Sequence, residues 1–204
     1  MKILVCISHV PDTTSKINFT DNNKSFDSSG IQYIINPNDE FGLTKAVWMK
    51  ETHKAEVVVA SVGEVSCEST LRKCLAIGAD RAIRVNMNPL DGFSVAKQLV
   101  EICEKEKFSL IIAGRESIDY NGGMVPGIIA ELMNYNYVAN CISLEIDQNK
   151  ATAAREIDGG KEIVSSDLPL VIGSQKGLVE EKDLIIPNMR GIMQARQKTL
   201  EVLE

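Results

Sequence analysis

What this sequence lacks narrows it before any motif is read. Only two histidines, His9 and His53, occur in 204 residues, and no spacing of His, Cys, Asp or Glu matches a metal site. No Gly-x-Ser-x-Gly elbow offers a hydrolase serine. There is no Walker loop and no Gly-x-Gly-x-x-Gly after the first apolar run, so the usual nucleotide fingerprints are missing. The five cysteines (Cys6, Cys67, Cys74, Cys103, Cys141) are odd in number and form no Cys-x-x-Cys pair. Four sit in apolar runs without a basic neighbour, which reads as buried free thiols in a reducing compartment. No apolar stretch approaches membrane-spanning length, and Met1 to Ile7 is too short for a signal sequence. With 22 basic against 28 acidic residues the net charge is −6, which disfavours nucleic acid and anionic membrane. The only modest basic cluster is Arg190, Arg196 and Lys198 near the C-terminus, which a solvated face explains equally well. The expectation is a soluble, cytoplasmic chain with no catalytic residues and no metal of its own, neither bound to nucleic acid nor inserted in membrane.

What is present is an alternation of short apolar runs and helical periodicity, without repeats or low-complexity segments. Lys2–Ser8, Glu56–Val62, Arg81–Val85, Ser109–Gly114 and Pro169–Ser174 read as strands buried on both faces. Between them fall helices. One opens at Asn36-Pro37-Asn38, with Asn38 as cap, Asp39 and Glu40 on the dipole, and Leu43, Ala46 and Val47 inward. A second is capped by Ser66, carries Leu71, Cys74 and Leu75, and stops at Gly78. A third runs from about Ser94 with Val95, Leu99, Ile102 and Cys103 inward, and a fourth covers Met124–Met133. The stretch from Pro11 to Gly30 is too polar for core. Cys141–Ile146, Ala151–Ile157 and Lys161–Val164 read as antiparallel strands, the last two joined at Asp158-Gly159-Gly160. From Gly177 the pattern loosens into an arm with a helical stretch at Ile192–Leu200. This order implies a doubly wound α/β parallel sheet with right-handed crossovers. An antiparallel hairpin is added to it. Residues 1–180 read as a nucleotide-binding α/β domain and 181–204 as a C-terminal arm.

Ligands of such sheets sit beyond the carboxyl ends of the strands, where strand order reverses. Three loops qualify: those after Cys6 and after Val62, where Gly63 permits close approach, and Gly114–Gly123. In the third, Gly122 and Gly123 at the mouth of a helix let main-chain amides face an anion in the field of the helix dipole. A plain strand-to-helix loop accounts for the two glycines as well, and the residues alone leave both readings open. His9, just past the first strand, reads more simply as an exposed loop histidine than as a site residue. His53 suits the negative end of its helix.

The segment Arg155-Glu156-Ile157-Asp158-Gly159-Gly160-Lys161-Glu162-Ile163-Val164, followed by Pro169-Leu170-Val171-Ile172, resembles the signature of electron transfer flavoprotein β subunits. Further matches follow in order along the whole chain: Val10-Pro11-Asp12, Ile35-Asn36-Pro37, Ala76 to Ala82, Ser117-Ile118-Asp119, and Gly191 to Ala195. The resemblance implies a Rossmann-like, adenine nucleotide α-hydrolase-like fold. It implies a heterodimer with an α subunit that carries most contacts to FAD. That complex would shuttle electrons from flavin dehydrogenases, acyl-CoA dehydrogenases among them, to a quinone oxidoreductase. The β subunit would hold AMP, or a second FAD in the electron-bifurcating branch.

By position the resemblance places nucleotide contacts on Cys6, Asn36, Pro37, Asn38, Asp39, Val62, Gly114, Ser117, Asp119, Tyr120, Asn121, Gly122, Gly123, Met124 and Val125. Partner docking falls on Ile186, Met189, Ile192 and Met193, with Met189 where an anchoring Leu is common; the residue type alone suits a docking anchor and a core plug equally. The phosphate loop departs from the family at Gly123-Met124-Val125-Pro126, which leaves main-chain amides and Asn121 as the donors. Gly173 replaces a small polar residue, and the family's wrapping arm would extend past Glu204. Two other readings share the sheet. A universal-stress-type adenine nucleotide binder would want a richer Gly-Ser loop. An adenylating enzyme would want Ser-Gly-Gly-x-Asp-Ser where this chain has Ser8-His9-Val10-Pro11-Asp12.

Overall fold

The computed structural model describes residues 1–204. In chain order the elements are β1 (Lys2–Cys6), β2 (His9–Pro11), β3 (Phe19–Thr20), β4 (Ser25–Phe26), β5 (Tyr33–Ile35), α1 (Pro37–His53), β6 (Glu56–Val62), α2 (Glu68–Ile77) and β7 (Arg81–Val85). They continue with α3 (Gly92–Glu106), β8 (Leu110–Gly114), α4 (Val125–Met133), β9 (Asn136–Asp147), β10 (Lys150–Ile157), β11 (Gly160–Asp167), β12 (Leu170–Ser174), α5 (Met189–Ala195) and β13 (Leu200–Leu203).

Nine strands form one sheet in the order β11-β10-β9-β12-β8-β1-β6-β7-β13. β1 is central and runs parallel to both β6 and β8. From β1 the chain winds through α1 to β6 and through α2 to β7; α3 then carries it back to β8 on the other side of β1. Strand order therefore reverses between β1 and β8, the doubly wound arrangement expected from the alternation. Side chains alternate across the sheet with the period of two that strands impose. Ile3 and Val5 join Leu43, Ala46, Leu71 and Leu75 of α1 and α2 in one core. Leu4 and Cys6 join Leu99, Ile102 and Cys103 of α3 and Ile129 and Ala130 of α4 in the other. All five cysteines are free and buried.

Several boundaries differ from expectation, each for a local reason. The cap of α1 is Asn36, not Asn38, with Pro37 supplying the preset φ of the first turn. Ser66 lies inside a 3₁₀ turn, Val65–Cys67, ahead of α2, and does not cap that helix. Gly78 does end it, at φ +150°. α3 starts two residues earlier than Ser94, because Asp91 and Ser94 form a reciprocal capping box. β9 is longer than expected: its first residues run parallel to β12 and its later ones antiparallel to β10. The polar stretch after Pro11 holds the small, exposed β3–β4 pair.

The largest difference is at the C-terminus, where the helix covers Met189–Ala195 and Leu200–Leu203 is a strand parallel to β7. The Arg72 guanidinium donates to the carbonyls of Ala195, the last residue of α5, and of Lys198 beyond it, both at 2.8 Å. Lys198 Nζ then donates to Leu75 O and Ala79 O at 2.9 and 2.6 Å. The chain is thereby delivered to the open edge of β7. Close approach of α5 to α2 depends on Gly191, where an added Cβ would stand 2.6 Å from Ala76 O. Gly191→Ala should lower stability by about 1–3 kcal/mol, as overpacking does. Chemical denaturation checks this, and an unchanged midpoint would show that the helix shifts without cost.

Candidate functional site

The reversal of strand order brings together the loops after β1, after β8 and at the start of α1. Their junction is a buried carboxylate. Asp39 Oδ2 accepts from Ser8 N at 2.7 Å, at the end of β1. Its Oδ1 accepts from Gly114 N at 2.8 Å, at the end of β8, and from Asn36 Nδ2 at 3.0 Å. Asn36 also donates from Nδ2 to Glu116 O at 2.9 Å and accepts at Oδ1 from Ile118 N at 3.2 Å. Asn38 Nδ2 adds a bond to the same Glu116 carbonyl at 3.1 Å. Ser174 Oγ, from the end of β12, donates to Asn38 O at 2.8 Å. Gly114 is glycine by necessity here, because an added Cβ would overlap the Asp39 carboxylate.

Beyond this junction the loop folds on itself. Ser117 N donates to Gly122 O at 3.2 Å, Ser117 Oγ to Asp119 Oδ1 at 2.6 Å, and Tyr120 N to the same oxygen at 2.9 Å. Asn121 adopts a left-handed φ of +50°. Apart from the Ser117–Gly122 bridge, the amides of Asn121 to Met124 have no protein partner, and they lie on exposed residues directly before α4. An added Cβ at Gly123 would stand 3.0 Å from Arg115 O, so the bare backbone allows this turn to close. Free amides ahead of a nine-residue helix suit a phosphate, which the helix dipole also favours.

The sequence-predicted residues divide into two groups. Ser117, Asp119, Tyr120 and Asn121 to Val125 share the outer loop, and Val62 stands at the end of β6, two strands from β8. The side chain of Cys6 is in the core, and burial pushes its thiol far above the ordinary range. Asn36 and Asp39 are 0% and 2% exposed, with their polar atoms engaged inside the protein. From its own position Asp39 was expected to complement a helix dipole, and from the resemblance to contact the nucleotide; its place at the junction comes from tertiary contacts that periodicity does not carry. His9 is not an exposed loop residue. It belongs to β2, stacks on Tyr33 at 4.2 Å, and shares a 2.7 Å hydrogen bond with Thr70 Oγ1 through Nδ1. Burial lowers its pKa.

Arg84 escaped the sequence reading. Nearly buried at the end of β7, its guanidinium donates to Glu68 Oε1 at 2.9 Å, Gly63 O at 3.1 Å and Asn86 Oδ1 at 2.7 Å. It fixes the loop after β6. A charged residue inside the otherwise apolar Ala82-Ile83-Arg84-Val85 was the available signal. The docking residues form a separate surface on and before α5, where Ile186 is 85%, Met189 75% and Met193 65% exposed. Ile192 is also exposed. Met189 is therefore no core plug. Nor is α5 loosely attached, given the bonds from Arg72.

A doubly wound parallel sheet whose amide-lined loop overhangs its switch point defines a Rossmann-like α/β protein. The family profile of the electron transfer flavoprotein domain matches residues 24–204. Electron transfer flavoprotein subunit beta of Bacillus subtilis is 33% identical over 208 residues, covering 100% of this chain and 79% of that protein. The corresponding subunits of Syntrophomonas wolfei and Homo sapiens are 36% and 30% identical, covering 97% and 100% of this chain and 77% and 81% of theirs. The chain belongs to the electron transfer flavoprotein family, and within it to the β subunits. Membership brings flavin-linked electron transfer and an α-subunit partner. No helix is long and apolar enough to cross a membrane.

Burial raises the Asp39 pKa to about 7, against the opposite pull of the Ser8, Asn36 and Gly114 donors. A carboxyl raised in the folded state favours folding while protonated, and that advantage is lost as the unfolded chain ionises from about pH 4. The stability difference between wild type and Asp39→Asn should therefore move against wild type from about pH 4 to 7 and level off above. Denaturation at several pH values checks this; a flat difference would place Asp39 at an ordinary pKa.

Proposed function

We propose that the chain holds AMP at the β1/β8 crevice. The phosphate would rest on the free amides of Asn121 to Met124, and the complex with the α subunit would carry the FAD mainly on that partner. The observation that carries this reading is the group of unpaired amides on a loop bolted to the switch point. The flavin supplies the redox chemistry, and this subunit supplies position and electrostatics. Its own residues offer no nucleophile with an adjacent base, which suits an electron carrier rather than an enzyme. Electrons would pass from flavin dehydrogenases through the complex to a quinone oxidoreductase.

The apolar surface at Ile186, Met189, Ile192 and Met193 would receive the dehydrogenase. Methionine repacks readily and suits a weak contact with several partners. Buried free thiols support a reducing compartment such as the cytoplasm. Residues 181–204 would then serve as a docking arm on the nucleotide-binding body of residues 1–180.

Denaturing the purified complex and counting the released nucleotides by chromatography tests the pocket directly. One AMP per FAD is expected, whereas two FAD and no AMP would assign a second flavin to it. Replacing Asn121 and Gly122 by bulky residues should release the nucleotide while flavin on the α subunit survives, and unchanged nucleotide content would misplace the site. Met189→Ala should weaken dehydrogenase binding at least several-fold without changing the melting temperature. Unaltered affinity by titration would remove Met189 from the docking face.

A further inference from the structure

The loop that carries the free amides is exposed from Asp119 to Met124. Its shape is imposed from beneath. Asn36 places its two amide hydrogens on Asp39 Oδ1 and Glu116 O and its oxygen against Ile118 N. A flipped amide would set its oxygen against a carboxylate and a carbonyl, so the Asp39 carboxylate selects the orientation that Glu116 and Ile118 require. Asp39 is itself fixed by two amides, Ser8 N just past β1 and Gly114 N at the end of β8. A continuous path of hydrogen bonds thus runs from the ends of β1 and β8 through Asp39 and Asn36 to Glu116 and Ile118. The Ser117–Gly122 closure extends it to the exposed amides. Neither side chain has surface left for a ligand.

We infer that Asn36 and Asp39 are positioning residues for nucleotide binding: their buried side chains set the turn at 114–118, and through it the direction of the amides at Asn121 to Met124, without touching the ligand. The inference rests on the nucleotide site proposed above. An anion site made of main-chain donors has no side chain that can adjust, so its affinity depends on the loop being held in shape beforehand. Gly114 belongs to the same device, since only a residue without Cβ leaves the carboxylate its place.

The test uses the full chain assembled with its α subunit, at pH 8, with AMP as the probe. Asp39→Asn substitutes a donor for an acceptor at the junction, and Gly114→Ala pushes the carboxylate away from the other side. Both should release AMP at least tenfold faster and speed hydrogen exchange at residues 115–124, with FAD content unchanged. Asn38→Ala removes one bond to Glu116 O near the surface and should act in the same direction to a smaller degree, so the result does not depend on the harsher variants folding. Val47→Ala, on the same helix but away from the junction, should lower the melting temperature yet leave AMP release as in wild type. If AMP release and loop exchange in Asp39→Asn, Gly114→Ala and Asn38→Ala match wild type, or follow melting temperature across all four variants, the positioning role is overturned. A wild-type complex without affinity for AMP would overturn the nucleotide assignment instead, and exchange at 115–124 alone would then decide whether Asp39 shapes the loop.

Discussion

One buried carboxylate holds the functional end of this molecule together. Parallel strands that diverge in chain order leave a gap at their carboxyl ends, and in this protein Asp39 spans it, accepting from the ends of β1 and β8 at once. An unpaired charge there would be costly in a low-dielectric interior. Three N–H donors converge on it, and much of the surrounding geometry follows: the glycine at 114, the orientation of Asn36, and the loop that Asn36 holds. The start of α1 thus serves as a bracket for the crevice as well as the first turn of a helix.

Around the bracket the chemistry is mostly main chain. The outer loop presents main-chain amides beside the exposed side chains of Tyr120 and Met124, and Arg84 at the end of β7 is committed inward to Glu68 and Gly63 O. A protein built in this way can hold a nucleotide and a partner while leaving electron chemistry to a flavin. That agrees with membership of the electron transfer flavoprotein family across residues 24–204.

The architecture was legible because doubly buried strands and helix faces write themselves as period and composition. Glu56–Val62 and Arg81–Val85 are strands over the residues that the apolar runs marked, and Gly78 ends its helix where a stop was expected. What escaped depends on contacts between residues far apart in sequence. Asp39 reads as one more acid in a first turn until Ser8 and Gly114, 31 and 75 positions away, are folded against it. The strand at Leu200–Leu203 went unread, with Leu200 placed at the end of a helical stretch, because its pairing partner β7 lies more than a hundred residues upstream. His9 looked like a loop residue because nothing local announces Tyr33 and Thr70. The outer loop was found from Gly122 and Gly123, but glycines reveal only that the backbone can turn, not what its amides face.

The course of residues 175–199 has a mechanical effect. This segment leaves the sheet at β12 and re-enters at β13, five strands away, a distance of roughly 24 Å at the usual strand spacing. On the way it is fastened at Thr44 Oγ1, which accepts from Ile185 N at 3.5 Å, and at Arg72. It works as an external strap whose two ends join the sheet on opposite sides of the seam between β1 and β8. Splaying those two strands apart would stretch it, so the seam is braced from outside as well as from within.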